Sequence, residues 1–158
     1  WEGTPFTNFG PALEACMVMQ CTVEGMPLIY SGQEAGLNRP LDFFGKDLIE
    51  WKEHRFADFY KTMFTLKHEN QALWNGKYGG VMHRIENDRP EEGISFARMM
   101  NGDSVVVLVN FSDQPLEVNL RGDFYHGEYK DVFSDEDVVL TANNTFKLES
   151  YGYLVLKN

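Results

Sequence analysis

The sequence holds few residues that would support a disulfide, a metal site or a membrane span. Only two cysteines occur among 158 residues, Cys16 and Cys21. They lie in a stretch with helical spacing, where a separation of five residues points their side chains to different faces, so no disulfide between them is expected. Neither has a histidine or a third cysteine at ligand spacing, which predicts reduced core residues and no metal site. No apolar run reaches the roughly 20 residues that cross a bilayer.

Positive charge is also scarce. Lysine and arginine total 14 against 24 aspartates and glutamates, and the formal net charge is −10. This sign argues against nucleic acid or an anionic membrane as a partner. No glycine-rich loop of the phosphate-binding kind is present, so no cofactor is predicted. A neutral ligand stays open, because the aromatic content of 14% suits both a core and a flat platform for sugars.

The spacing of apolar residues changes near Asn75. Residues 9–73 follow mostly helical intervals, whereas short alternating runs punctuated by Gly, Asn and Asp begin at Lys77. The change predicts two domains, residues 1–75 and residues 76–158.

In the first domain the pattern predicts a helix, a strand and a second helix. The stretch GPALEACMVMQCTVEG has helical spacing, with Pro11 suited to a first turn and Gly25 ending the run. Met26 to Tyr30 is too short for a helix and apolar on both sides, which predicts a buried parallel strand. A loop of about 25 residues then leads to the amphipathic stretch RFADFYKTMFTLKHEN. Such a loop is long for an α/β unit and suggests function.

The second domain is predicted to be an antiparallel β-sandwich, or Greek-key, module. About seven short strands separated by turns are typical of that class. The Asn101-Gly102 pair in MMNGDSVVVLVN favours a tight hairpin turn. The predicted strands are Tyr78–Arg84, Ile94–Met100, Ser104–Asn110, Leu116–Leu120, Gly127–Val132, Thr145–Leu148 and Tyr151–Leu156.

The stretch GMPLIYSGQEAGL resembles the strand-eight segment of the α-amylase family of glycoside hydrolases. The family pattern is Gly-x-Pro-x-x-Tyr-x-Gly-x-Glu, and it is matched by Gly25, Pro27, Tyr30, Gly32 and Glu34. The alternating region that includes VVVLVNFSDQP is similar to the all-β domain that follows the barrel in these enzymes. The resemblance therefore covers nearly the whole chain.

A second phrase, FYKTMFTLKHENQAL, is similar to the family's last barrel helix and the segment after it. Leu66, Asn70, Ala72 and Leu73 fit that segment, and Gln71 stands where the family usually has proline.

The resemblance implies an α+β fragment in which a helix-strand-helix remnant of a (β/α)8 barrel precedes the β-sandwich. These elements would be helix seven, strand eight and helix eight of the barrel. The family cleaves α-glucans with retention, using carboxylates at the ends of strands four, five and seven, and none of these has a match here. Because the chain opens on WEGT, a phrase similar to one just beyond the strand-seven motif, it is expected to be a piece of a longer enzyme. By itself it is expected to be inactive.

Four residues on or near the loop after the predicted strand are candidates for substrate binding: Tyr30, Gln33, Glu34 and Trp51. Barrel enzymes build their sites on such loops, and we expect these side chains to bond or stack on an α-glucan. Two other interpretations stay open, that Tyr30 and Glu34 satisfy buried loop backbone and that Trp51 only packs its own loop. Glu34 and Asp42 share the loop, but nothing fixes their separation, so no catalytic residue is predicted.

The competing hypothesis is a carbohydrate-binding or structural β-sandwich module without hydrolase activity. Under the first hypothesis the partner is an α-glucan or maltooligosaccharide in the intact enzyme. A single barrel strand cannot close a barrel, so residues 1–70 are expected either to dock on the β module or to self-associate through bare apolar faces.

Overall fold

The computed structural model describes residues 3–142 and 144–158. Helices come first along the chain and strands follow. The helices are α1 (Pro5–Phe9), α2 (Leu13–Thr22) and α3 (Arg55–Glu69), with short 3-10 turns at Gly10–Ala12, Gln71–Leu73 and Gly76–Tyr78. Both predicted helices are therefore confirmed. No helix in the described part of the chain is long and apolar enough to cross a membrane.

Nine strands among the described residues form two antiparallel sheets. The strands are β1 (Met82–Arg84), β2 (Glu86–Asn87), β3 (Gly93–Met100), β4 (Asp103–Asn110), β5 (Leu116–Arg121), β6 (Gly127–Asp131), β7 (Asp137–Leu140), β8 (Thr145–Leu148) and β9 (Tyr153–Lys157). The six-stranded sheet has the order β1-β3-β4-β9-β6-β7, and the three-stranded sheet has the order β2-β5-β8. The predicted antiparallel β module is confirmed, although the sequence did not predict β2 or β7.

The predicted hairpin joins β3 to β4. Met100 pairs with Asp103 across the turn, and both central residues have positive φ, 53° at Asn101 and 98° at Gly102. Asn and Gly tolerate this left-handed region, which a two-residue turn requires if the strands are to keep their twist.

The six-stranded sheet is buried on both faces at strand β4, whose central residues 105–109 are all apolar. On one face Val105, Val107 and Val109 share a core with the helices. On the other face Val106 and Leu108 share a second core with the three-stranded sheet. Successive strand residues point to opposite faces, so one continuous apolar run serves both cores. The result is three layers, with the helices on one side of the large sheet and the small sheet on the other.

The helical segment docks on the β module. Docking is one of the two alternatives expected from the sequence, the other being self-association. Helix α3 presents Phe56, Phe59, Tyr60, Met63 and Leu66 to the sheet, all buried. The shorter helix α2 lies in the same core. Both cysteines are free thiols, and burial raises the pKa of Cys21 to about 12.

The predicted buried strand over Met26–Tyr30 is wrong. This stretch has no regular secondary structure, and no strand among the described residues pairs with it. Met26, Leu28 and Tyr30 are 80%, 71% and 57% exposed, whereas the two residues between them are partly buried. A strand needs a hydrogen-bonded neighbour, and this segment lies against the helices without one. The exposure nevertheless alternates with a period of two.

Candidate functional site

A groove of about 490 Å³ lies beside the segment that follows α2. Three stretches of chain form its walls, and together they supply aromatic, amide, hydroxyl, guanidinium and carboxylate groups. The lining residues are Gly3, Thr4, Pro5, Asn8, Tyr30, Ser31, Gln33, Leu37, Arg39, Pro40, Leu41, Asp42 and Phe43. Apolar walls with a few converging polar groups are typical of small-molecule sites.

The first wall is the start of helix α1, which a reciprocal cap fixes. The Thr7 backbone N–H donates to Thr4 Oγ1 at 3.2 Å, and the Thr4 backbone N–H donates to Thr7 Oγ1 at 2.7 Å. The Thr4 hydroxyl also donates to Asn38 Oδ1 at 2.6 Å. The cap therefore ties the first wall to the loop that carries the other two.

The second wall is a compact turn over residues 30–37. The Gln33 N–H donates to the Tyr30 carbonyl at 2.9 Å, and the Leu37 N–H donates to the Gly32 carbonyl at 2.9 Å. Gly32 has φ of 89°, and a Cβ there would lie 2.9 Å from Leu37 Cδ2. Only glycine accepts that combination, which explains why the turn can place Gln33 beside Tyr30.

The third wall is a loop held by an ion pair. Arg39 Nη1 and Nη2 lie 2.6 and 2.7 Å from the two oxygens of Asp47, and the Asp42 backbone N–H donates to Asp47 Oδ2 at 2.8 Å. The hydrogen bond from Arg39 is the main reason that the pKa of Asp47 lies well below its usual range. A bidentate ion pair of this kind restricts the geometry of the loop in addition to pairing the two charges. It keeps Asp42 and Phe43 at the groove.

Two of the four predicted site residues line the groove, namely Tyr30 and Gln33. Trp51 is 64% exposed and is not among the lining residues. Glu34 is half-buried, and its Oε2 atom is buried without a hydrogen-bond partner in the described part of the chain. Its carboxylate lies close enough to Tyr60 to help raise the pKa of that hydroxyl, after burial and the nearby Cys21.

Sequence reasoning did not predict several of the lining residues. Thr4 and Asn8 come from a helix far from the motif in sequence, and Phe43 carries no motif. From the sequence Asp42 is a candidate only as a partner for Glu34, and the structure places Asp42 in the groove without Glu34. The opposite charges of Arg39 and Asp47 were the one available indication that this long loop is ordered.

The same segment exposes much apolar surface. Large side chains between residues 26 and 51 are mostly bare, and the exposed fraction reaches 95% at Phe44. The others are Met26, Leu28, Tyr30, Phe43, Leu48 and Trp51. Large exposed apolar surface can mark an interaction site.

Across residues 3–142 and 144–158, no group of three or more His, Cys, Asp or Glu side chains could hold a metal ion.

Comparison with known sequences gives a family match in the second half of the chain. Residues 84–155 match the family described as Maltogenic Amylase, C-terminal domain. Alpha-amylase 2 of Dictyoglomus thermophilum is 26% identical over an alignment of 135 positions, and the alignment covers 77% of this chain and 22% of that protein. The chain thus spans less than a quarter of the length of this curated relative.

Solved structures extend the likeness to the helices. A maltogenic α-amylase from Thermotoga neapolitana superimposes with a TM-score of 0.75 and 22% identity, over 92% of this chain and 36% of that chain. The α-amylase from Geobacillus thermoleovorans, complexed with acarbose, superimposes with a TM-score of 0.75 and 18% identity, over 98% of this chain and 33% of that chain. Because almost the whole chain is covered, the helices and the sheets share their arrangement with those proteins.

Proposed function

We propose that this chain is the C-terminal portion of an α-amylase family glycoside hydrolase and supplies the closing end of an α-glucan-cleaving enzyme. Residues 1–75 would contribute helix α2, the segment 26–30 and helix α3 to the end of the catalytic (β/α)8 barrel, and residues 76–158 would form the all-β domain. The whole enzyme would act by the retaining mechanism with two carboxylates.

The groove is the observation that carries this proposal. Tyr30 and Gln33 come from the motif that resembles barrel strand eight, and both line the groove. Tyr30 is 57% exposed, so its ring can stack on a sugar face, while the Gln33 amide can both donate to and accept from sugar hydroxyls. We assign Glu34 to the glucan site as a residue that orients the turn. We assign Trp51 to it as a residue that would contact the glucan only when the rest of the barrel is present.

The chain alone is proposed to be inactive. A retaining glycosidase needs a nucleophile and a general acid with carboxyl groups about 5–5.5 Å apart. Asp42 is the only carboxylate among the described groove-lining residues, and its Oδ1 atom already accepts the Phe44 N–H at 2.9 Å. One carboxylate cannot serve as both nucleophile and acid, so the catalytic pair would belong to other parts of the enzyme.

The exposed apolar surface supports the barrel part of the proposal. Met26, Leu28 and Tyr30 alternate with less exposed neighbours, as they would in a strand that has lost its partners. We propose that neighbouring barrel strands cover this surface in the whole enzyme. In the chain alone the same surface is available to a second copy.

Two measurements on the chain as it stands test the proposal. Release of reducing ends from starch is expected to stay at the level of a protein-free control. Weak binding of maltoheptaose is expected by calorimetry, and Gln33→Ala should weaken it by about threefold or more, because one or two hydrogen bonds are lost.

The matched control is Gln114→Ala, which removes the same side chain from an exposed turn far from the groove in sequence. Its affinity should equal that of the unchanged chain. Hydrolysis of starch, or equal affinities for the Gln33 and Gln114 variants, would contradict the assignment.

A further inference from the structure

Arg98 is a buried cation that joins the sheet to the helical segment. It lies on strand β3 with 1% of its surface exposed. Its Nε atom donates to the Gly80 carbonyl at 2.8 Å, and Nη2 donates to the Trp74 carbonyl at 2.8 Å. Its Nη1 atom donates to the carbonyls of Thr22 and Val23 at 3.1 and 3.0 Å. The guanidinium therefore connects three separate stretches of backbone through four hydrogen bonds.

Two of those four carbonyls lie at the end of helix α2. Carbonyls at a helix C-terminus have no partner within the helix and carry partial negative charge, so a cation there is stabilising. Helix α2 has no basic residue in its own last turn, and Arg98 supplies the charge from the sheet. The next residue, Glu24, lies near enough to oppose the lowering of the Arg98 pKa by burial.

Further contacts fix the stretch between this helix end and the groove. The Glu24 carboxylate accepts the Met82 N–H at 2.8 Å, which ties it to strand β1. The Gln20 side-chain amide donates to the Leu28 carbonyl, and the Asn75 amide lies 3.6 Å from Met26 Sδ. These contacts fix the backbone between Val23, which Arg98 binds, and Tyr30, which lines the groove.

We propose that Arg98 is a positioning residue for the groove, through which the all-β domain sets the placement of the glucan-contacting turn. The proposal rests on the proposed function, since it takes the groove over residues 30–43 as the glucan site. Arg98 does not touch the ligand. It acts by fixing Thr22 and Val23, and through them the residues that carry Tyr30 and Gln33.

The planar guanidinium is the reason that arginine, and not lysine, suits this role. A planar guanidinium directs five N–H groups in fixed directions, whereas a lysine ammonium is a point charge with three donors. Arg98→Lys keeps the charge but cannot reach all four carbonyls at once. We expect the helix end to shift in that variant and the groove to shift with it.

The test compares Arg98→Lys with Val118→Ala. Val118 is buried in the core between the two sheets, and the helices do not contribute to that core. Both variants are expected to lose stability, and both are measured at a temperature where they are folded. Maltoheptaose affinity should fall by about threefold or more in Arg98→Lys and stay within about twofold in Val118→Ala. Amide chemical shifts over residues 25–34 should move only in the first.

A second variant, Glu24→Ala, keeps the test decisive if Arg98→Lys does not fold. Glu24 is exposed, and its loss removes the tie to Met82 and the attraction to Arg98 but none of the four hydrogen bonds, so smaller shifts over the same residues are expected. The positioning role would be overturned by unchanged shifts in the folded Arg98 variant, by unchanged shifts in Glu24→Ala where the Arg98 variant does not fold, or by equal shifts in the Val118 variant. If the unchanged chain does not bind maltoheptaose, the proposed function fails, while the amide shifts still decide what Arg98 positions.

Discussion

Arg98→Met is expected to lower the free energy of unfolding by about 3 kcal/mol or more. The substitution preserves much of the side-chain volume but removes the donors for the carbonyls of Gly80, Thr22, Val23 and Trp74. An unpaired buried acceptor costs about 1–3 kcal/mol. Because these four carbonyls lie at a junction between the helices and the sheet, the variant has no simple way to supply other partners.

Urea unfolding followed by far-UV circular dichroism measures this loss. Arg121→Met is the matched control, since Arg121 is exposed at the end of strand β5 and a surface change away from special contacts usually stays within about 0.5 kcal/mol. If Arg98→Met costs no more than Arg121→Met, the four hydrogen bonds are not what holds the junction.

Met63→Ala is expected to destabilise the chain by about 2–5 kcal/mol, the range found when buried methionine or leucine is cut to alanine. Met63 has no exposed surface and lies in the core between helix α3 and the large sheet. The cavity would therefore weaken both layers. A single unfolding transition is expected to persist, with the helices and strand β4 unfolding together.

Met26→Ala provides the comparison, because it makes the same chemical change where the side chain is 80% exposed. Its effect should stay within about 0.5 kcal/mol. Hydrogen exchange of the amides in strand β4 completes the measurement. Protection of those amides that is unchanged in Met63→Ala, while the helices lose theirs, would show that the helical segment and the sheet are independent units.

Much of this fold follows from local patterns in the sequence. The spacing of apolar residues predicts helices α2 and α3, and the Asn101-Gly102 turn predicts the β3–β4 hairpin. The strands that failed to be predicted are short: β2 has two residues and β7 has four. Such strands carry too few alternations for a pattern to appear, and only their neighbours in the sheet define them.

The prediction of a strand over residues 26–30 is wrong for a different reason. Its composition is that of a buried strand, yet a strand forms only where a second backbone supplies hydrogen bonds. Local sequence cannot show whether that partner is present. The alternation of exposure along the segment still agrees with the pattern that was used to predict it.

The groove could be predicted only in part, because its walls meet through tertiary contacts. The motif identifies Tyr30 and Gln33, but the hydrogen bond from Thr4 to Asn38 joins residues 34 positions apart, and no local pattern encodes it. Arg98 was not predicted at all, since a single arginine in a strand looks like a surface residue until its burial is known.

Titration of the isotopically labelled chain with maltoheptaose, followed through its amide resonances, locates the surface that binds the sugar. If the groove is the glucan site, the largest shifts occur at Tyr30, Gln33, Asp42 and Phe43. Shifts confined to the exposed aromatic residues nearer the sheets would show instead a sugar-binding β module and would rule out the groove. Those residues are Trp74, Tyr78 and Phe124.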